Sequence, residues 1–119
     1  MESAMKIQHN VGDTSTRIMS NCQALAEAVA KLDKLVEDSS RAQAEYDKQI
    51  GLSMATHKAH GEPVGVLKEY AKRDCQDVFY TMLVAEGSLK SCYANIDAIK
   101  VRINAYQSIL KYMDVMPHE

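Results

Sequence analysis

The second half of the chain carries the clearest pattern. Cys75, Met82, Leu89, Ile96, Ile103 and Leu110 recur every seven residues, interleaved with Ala71, Val78, Ala85, Cys92, Ile99, Tyr106 and Met113. A seven-residue apolar repeat kept over this length predicts a helix supercoiled against another helix, because 3.6 residues per turn would otherwise carry the stripe off the seam. Gly87 lies inside the repeat without shifting its phase, so it reads as a tolerated or close-packed position and not as a helix end.

The first half repeats the pattern more weakly. Ile18, Cys22, Leu25, Val29, Leu32 and Val36 alternate steps of four and three. In the same phase the seam continues as Ser39, Gln43, Tyr46, Ile50, Ser53, His57 and His60, in register but increasingly polar. Ser40 and Gln43 have the spacing of a capping box that would start a new helix, so a break near Ser39–Ser40 is the alternative to one continuous helix. Residues 1–13 lack a sustained apolar period and read as a flexible tail, with Asp13, Thr14 or Ser15 available as a cap.

Between the halves stands "HGEP". Gly61 suits the left-handed conformation that ends a helix, and Pro63 suits the first turn of the next. The expected organisation is a single domain over 14–119: helix over about 14–60, turn at 61–62, and helix over about 63–114. Two long helices joined this tightly fold back antiparallel, so residues whose numbers sum to about 122 face one another. The fold class is therefore all-α, a long antiparallel helical hairpin of coiled-coil type.

That register exposes a mismatch. The polar stretch 39–43 faces "VFYTMLV", residues 78–84, which is apolar nearly all the way round. A helix apolar on all faces needs burial on all faces, and one neighbouring helix covers only one. Phe79, Tyr80, Leu83 and Val84 are left as a candidate surface for another chain, most economically a second copy in a two-fold four-helix bundle.

Composition adds little that is specific. Seven Met, no Trp, one Phe and two Pro favour helices, and 14 basic against 16 acidic side chains give no chain-wide field toward nucleic acid or anionic lipid. Cys22, Cys75 and Cys92 are odd in number, lack a C-x-x-C spacing and fall on the expected seams, which fits a reducing compartment. No apolar window approaches the length of a membrane span, and the expected location is the cytoplasm.

Candidate chemistry is sparse. His57 and His60 share a helix face and could reach a metal with Glu62, yet no His-Glu-x-x-His or four-ligand zinc spacing is present, and solvated turn histidines are the simpler reading. The "KRD" before Cys75 could lower its pKa, although its seam position reads as core. Lys90, Lys100, Arg102 and Lys111, with Tyr93 and Tyr112 nearby, form the candidate nucleic-acid contacts. With no phosphate loop, nucleophile elbow or apolar carboxylate pair, neither an enzyme nor a cofactor is expected.

The run "THKAHGEPVGVLKEYAKRDCQDVFYTMLVAEGSLKSCYANIDAIKVRINAYQSILK" resembles the C-terminal part of small helical accessory proteins encoded by phages and prophages, in its "GEP" and "AEG" motifs and its ending. The resemblance covers about half the chain and implies a phage or mobile-element protein in bacterial host cytoplasm, with no catalytic residues carried over. The expected function is a non-enzymatic homodimeric module that binds a host or phage protein. The alternative is a nucleic-acid or nucleoprotein accessory factor.

Overall fold

The computed structural model describes residues 11–115. Helix α1 spans Val11–Ala59, a 3-10 turn spans Val64–Val66, α2 spans Leu67–Asp74 and α3 spans Gln76–Val115. The described residues contain no strand. The described residues group into two compact units, residues 11–31 with 92–115, and Leu32–Ser91.

Helix α1 is already under way at Val11, so Asp13, Thr14 and Ser15 lie inside it and do not cap it. Residues 1–10 of the expected tail lie outside the described residues. The helix runs unbroken through Ser39, Ser40 and Gln43. Its side-chain bonds there stay within the helix, as in the Gln43 Nε2 to Asp47 Oδ1 bond of 3.1 Å.

The turn closes as a Schellman motif. Gly61 has φ of 83°, its N–H donates to Lys58 O at 3.0 Å, and the Glu62 N–H reaches back to His57 O at 3.1 Å. Pro63 then adopts extended backbone (φ −60°, ψ 141°) ahead of the 3-10 turn, not the first position of an α-helix.

The expected single helix over 63–114 is instead three segments. Besides the 3-10 turn, Cys75 (φ −105°, ψ 25°) separates α2 from α3. Helical bonding reaches Cys75 through its N–H to Ala71 O at 2.9 Å and resumes with Phe79 N–H to Cys75 O at 3.0 Å. The bend therefore costs little hydrogen bonding and leaves the side-chain phase intact. It falls beside Asp74, whose carboxylate is drawn across to α1. Helix α3 runs through Gly87, where a Cβ would meet open space, so that glycine is tolerated and not close-packed.

The seam of α2 and α3 matches the heptads. Ala71, Cys75, Ile96, Ile99 and Ile103 are buried, and Val78, Met82, Ala85, Leu89, Cys92, Tyr106, Leu110 and Met113 are half-buried. The α1 seam differs by one residue in each heptad up to Gln43, whereas Ile50 and His57 are half-buried as expected. Ile18, Leu25, Leu32, Ser39, Tyr46 and Ser53 turn inward as expected, but their companions are Thr14, Asn21, Ala28, Leu35, Ala42 and Gln49, while Cys22, Val29, Val36 and Gln43 are exposed. At Ala28 the small side chain leaves the backbone carbonyl within reach of Cys92 Sγ at 3.5 Å, and Val29 lies exposed beside it.

Within each unit the pairing is antiparallel, near the expected register away from the turn and several positions off it beside the turn. In the 11–31 and 92–115 unit, Cys92 Sγ donates to Ala28 O at 3.5 Å and Arg102 Nε donates to Asn21 Oδ1 at 3.0 Å. In the Leu32–Ser91 unit, Tyr46 and Phe79 bring ring centroids to 5.4 Å. Two paired helices leave little interior: among the described residues only seven apolar side chains and Thr14 are buried.

Candidate interaction surface and turn cluster

The turn holds the densest polar contacts, all within the Leu32–Ser91 unit. His57 Nε2 lies 2.6 Å from Asp74 Oδ2, which also accepts a 3.0 Å bond from Ser53 Oγ. On the other side of the ring, Nδ1 lies 3.6 Å from Glu62 Oε1. The Tyr70 ring packs against His57 at 5.3 Å, and Arg73 lies 4.8 Å over that ring as a cation on a π face.

The cluster thus ties the last turn of α1 to the loop and to the end of α2. In a Schellman turn the residues at the positions of His57 and Glu62 commonly make an apolar contact, and here an ionic one takes its place. The bond to Asp74 raises the His57 pKa above its ordinary 6.5 against the opposing effect of burial, with the Glu62 charge adding to the rise. Asp74 is held below its ordinary 3.8, first by the His57 bond and then by Ser53.

His57 is therefore not a solvated turn histidine. The carboxylates meet opposite ring nitrogens, so one ion bound at a single nitrogen would not gather both. His60 is exposed and takes no part, and the described residues contain no group of three or more His, Cys, Asp or Glu arranged to hold a metal ion. Cys75 is buried, and burial followed by the Asp74 charge pushes its thiol pKa up, the reverse of the activation "KRD" suggested. Cys92 is half-buried, whereas Cys22, expected on the seam, is exposed.

The apolar candidates all face outward in their unit. Phe79 is 41 %, Tyr80 69 %, Leu83 45 % and Val84 50 % exposed. At 3.6 residues per turn they form two pairs, Phe79 with Leu83 and Tyr80 with Val84, about 100° apart around α3. The second pair borders an open groove of about 330 Å³ between Leu35 and Asp38 of α1 and Tyr80, Val84 and Ala85 of α3. On the Phe79 side, Tyr46, Asp47, Ile50, Lys68 and Lys72 line a hollow of about 380 Å³.

The basic candidates do not converge. Lys90, Lys100, Arg102 and Lys111 are all exposed. Lys100 and Lys111 share a face of α3, but Arg102 projects about half a turn away from Lys111, where it bonds Asn21. Tyr93 and Tyr112 are exposed at 47 % and 64 % and do not complete a core. No described helix is long and apolar enough to cross a membrane.

Sequence reasoning missed Asp74 and Ser53 as partners of His57. A tight turn at Gly61 sets His57 opposite residue 65 or so, and the loop through Val66 moves that register by several positions. The exposed Val36 was also missed, although its row on α1 was legible as the more apolar of two adjacent stripes. No protein-family model, curated protein or solved structure matches the chain.

Proposed function

We propose that this chain is a non-enzymatic helical interaction module, a homodimer that binds a further protein through the apolar outer face of its Leu32–Ser91 unit. The observation that carries the reading is the exposure of Phe79, Tyr80, Leu83 and Val84 around one stretch of α3, two of them bordering an apolar groove. If the chain shares the setting of the phage-encoded proteins it resembles, the partner is a host or phage protein in bacterial cytoplasm. Among the described residues no basic stripe favours the nucleic-acid alternative.

Magnitudes set the scale. Full burial of one large apolar side chain contributes about 1.5–3 kcal/mol, and each of these four has about half its surface still to bury, so the patch offers about 3–6 kcal/mol per copy. Association costs about 4–15 kcal/mol, so the patch supports binding only together with neighbouring contacts.

The test compares wild type with a Tyr80→Glu, Leu83→Glu double variant, by light scattering against concentration and by capture from bacterial cytoplasm. The reading predicts a concentration-dependent dimer and a captured protein, both lost in the variant. A monomer at high micromolar concentration whose captured proteins match the variant's would refute it.

A further inference from the structure

The Phe79 flank carries a pattern that identifies its occupant. On α1, Val36, Gln43 and Ile50 follow one another at seven-residue spacing, as do Lys72, Phe79 and Glu86 on α2 and α3. Both rows lie on the same side of the Leu32–Ser91 unit, because Ile50 and Lys72 line one hollow and the Tyr46 ring packs against Phe79. Val36 is 39 % exposed, and neither Lys72 nor Glu86 has an ion-pair partner among the described residues. The flank thus presents three apolar side chains, Val36, Ile50 and Phe79, beside two charges without ion-pair partners among the described residues.

We propose that a second copy of the chain docks on this flank, antiparallel to the first, about a two-fold axis that passes at the level of Gln43 and Phe79. The proposal rests on the interaction-module reading above and adds its geometry. Each row is complementary to its own reverse. Under this symmetry α3 meets the partner's α3, so Phe79 meets Phe79, and Lys72 meets Glu86 twice. Likewise α1 meets the partner's α1, so Val36 meets Ile50 twice.

The other two-fold, with its axis along the helices, sets α1 against the partner's α3 at equal levels. Val36 would then face Glu86 and Ile50 would face Lys72, leaving each charge against an apolar side chain without a counter-charge. An isologous interface requires self-complementarity, and only the antiparallel arrangement supplies it for both rows. The Tyr80 and Val84 groove, on the opposite flank, stays open for a further protein.

Reciprocal charge reversal tests this. Lys72→Glu and Glu86→Lys, each exposed or half-exposed, are made separately and measured by sedimentation equilibrium at low salt, with circular dichroism to confirm that each keeps its helix content. Each variant alone places like charges together twice and weakens self-association at least about tenfold. An equimolar mixture of the two variants restores a dimer within about threefold of wild-type affinity, since every like-charge contact becomes an opposite one. A wild-type dimer indifferent to both reversals, or a mixture that restores nothing, overturns the antiparallel geometry while leaving the interaction module standing. A wild type monomeric throughout overturns this proposal, and the Tyr80, Leu83 capture experiment then decides separately on the module.

Discussion

Replacing Ala28 by leucine and Val29 by alanine tests which stripe of α1 is the seam. Ala28 is 6 % exposed and its carbonyl accepts a bond from Cys92 Sγ at 3.5 Å, so three added carbons have no free space. Overpacking of this kind costs about 1–3 kcal/mol. Val29 is 48 % exposed, so Val29→Ala gives up about half the burial of two methyl groups and regains a few tenths of a kcal/mol in helix propensity. Its net effect falls within about 0.5 kcal/mol of zero. For a chain of this size 1 kcal/mol moves the midpoint by about 4–8 °C at most. Thermal and urea melts followed by circular dichroism should therefore show a clear loss for Ala28→Leu and almost none for Val29→Ala. The reverse order, a neutral Ala28→Leu with Val29→Ala costing more than about 1.5 kcal/mol, would refute the packing and reinstate the Cys22, Val29, Val36 seam.

The His57 and Asp74 contact makes a pH prediction with a fixed sign. A raised His57 pKa contributes stability that is fully present below pH 6.5 and lost as pH rises through the folded value. The lowered Asp74 pKa contributes stability present above pH 3.8 and lost as pH falls through its folded value. Both describe one interaction, so stability should peak between the two folded pKa values. NMR titration should place His57 above 6.5 and Asp74→Asn should bring it down; a His57 that titrates below 6.5 contradicts the geometry. Gly61→Ala should destabilise by about 1 kcal/mol, since φ of 83° strains any residue with a Cβ, and a neutral result in urea melts would deny the left-handed turn. With a thiol reagent, Cys22 should react first and Cys75 last, because Cys75 is buried and its thiolate disfavoured; equal rates would contradict the burial pattern.

How far the sequence could be read depended on side-chain size and on local geometry. The α3 seam was legible because Ile96, Ile99 and Ile103 are the large apolar residues in their turns and no competing stripe lies beside them. On α1 two stripes run side by side, and the more apolar one, through Val29 and Val36, is not the one that packs. At Ala28 it is the small side chain, its carbonyl bonded by Cys92 Sγ, that packs in place of Val29, a preference that hydrophobicity alone does not encode. The turn was legible in Gly61, whose left-handed backbone is local. The bend at Cys75 was not, since it leaves the heptad phase unchanged, and the Asp74 partnership depends on the length of a loop that the sequence does not announce. The exposure of Phe79, Tyr80, Leu83 and Val84 followed from register, and their division into two flanks needed the observed placement of Tyr46, Leu35 and Asp38.

The interaction module stands or falls on whether the outer face of the Leu32–Ser91 unit binds another chain. Sedimentation equilibrium of the wild-type protein from low to high micromolar concentration tests it most directly, with Leu83→Glu run alongside. The wild type should form a reversible dimer whose dissociation constant rises at least about tenfold in the variant. A wild type that remains monomeric across that range, with Leu83→Glu indistinguishable from it, would show that this face binds no second copy.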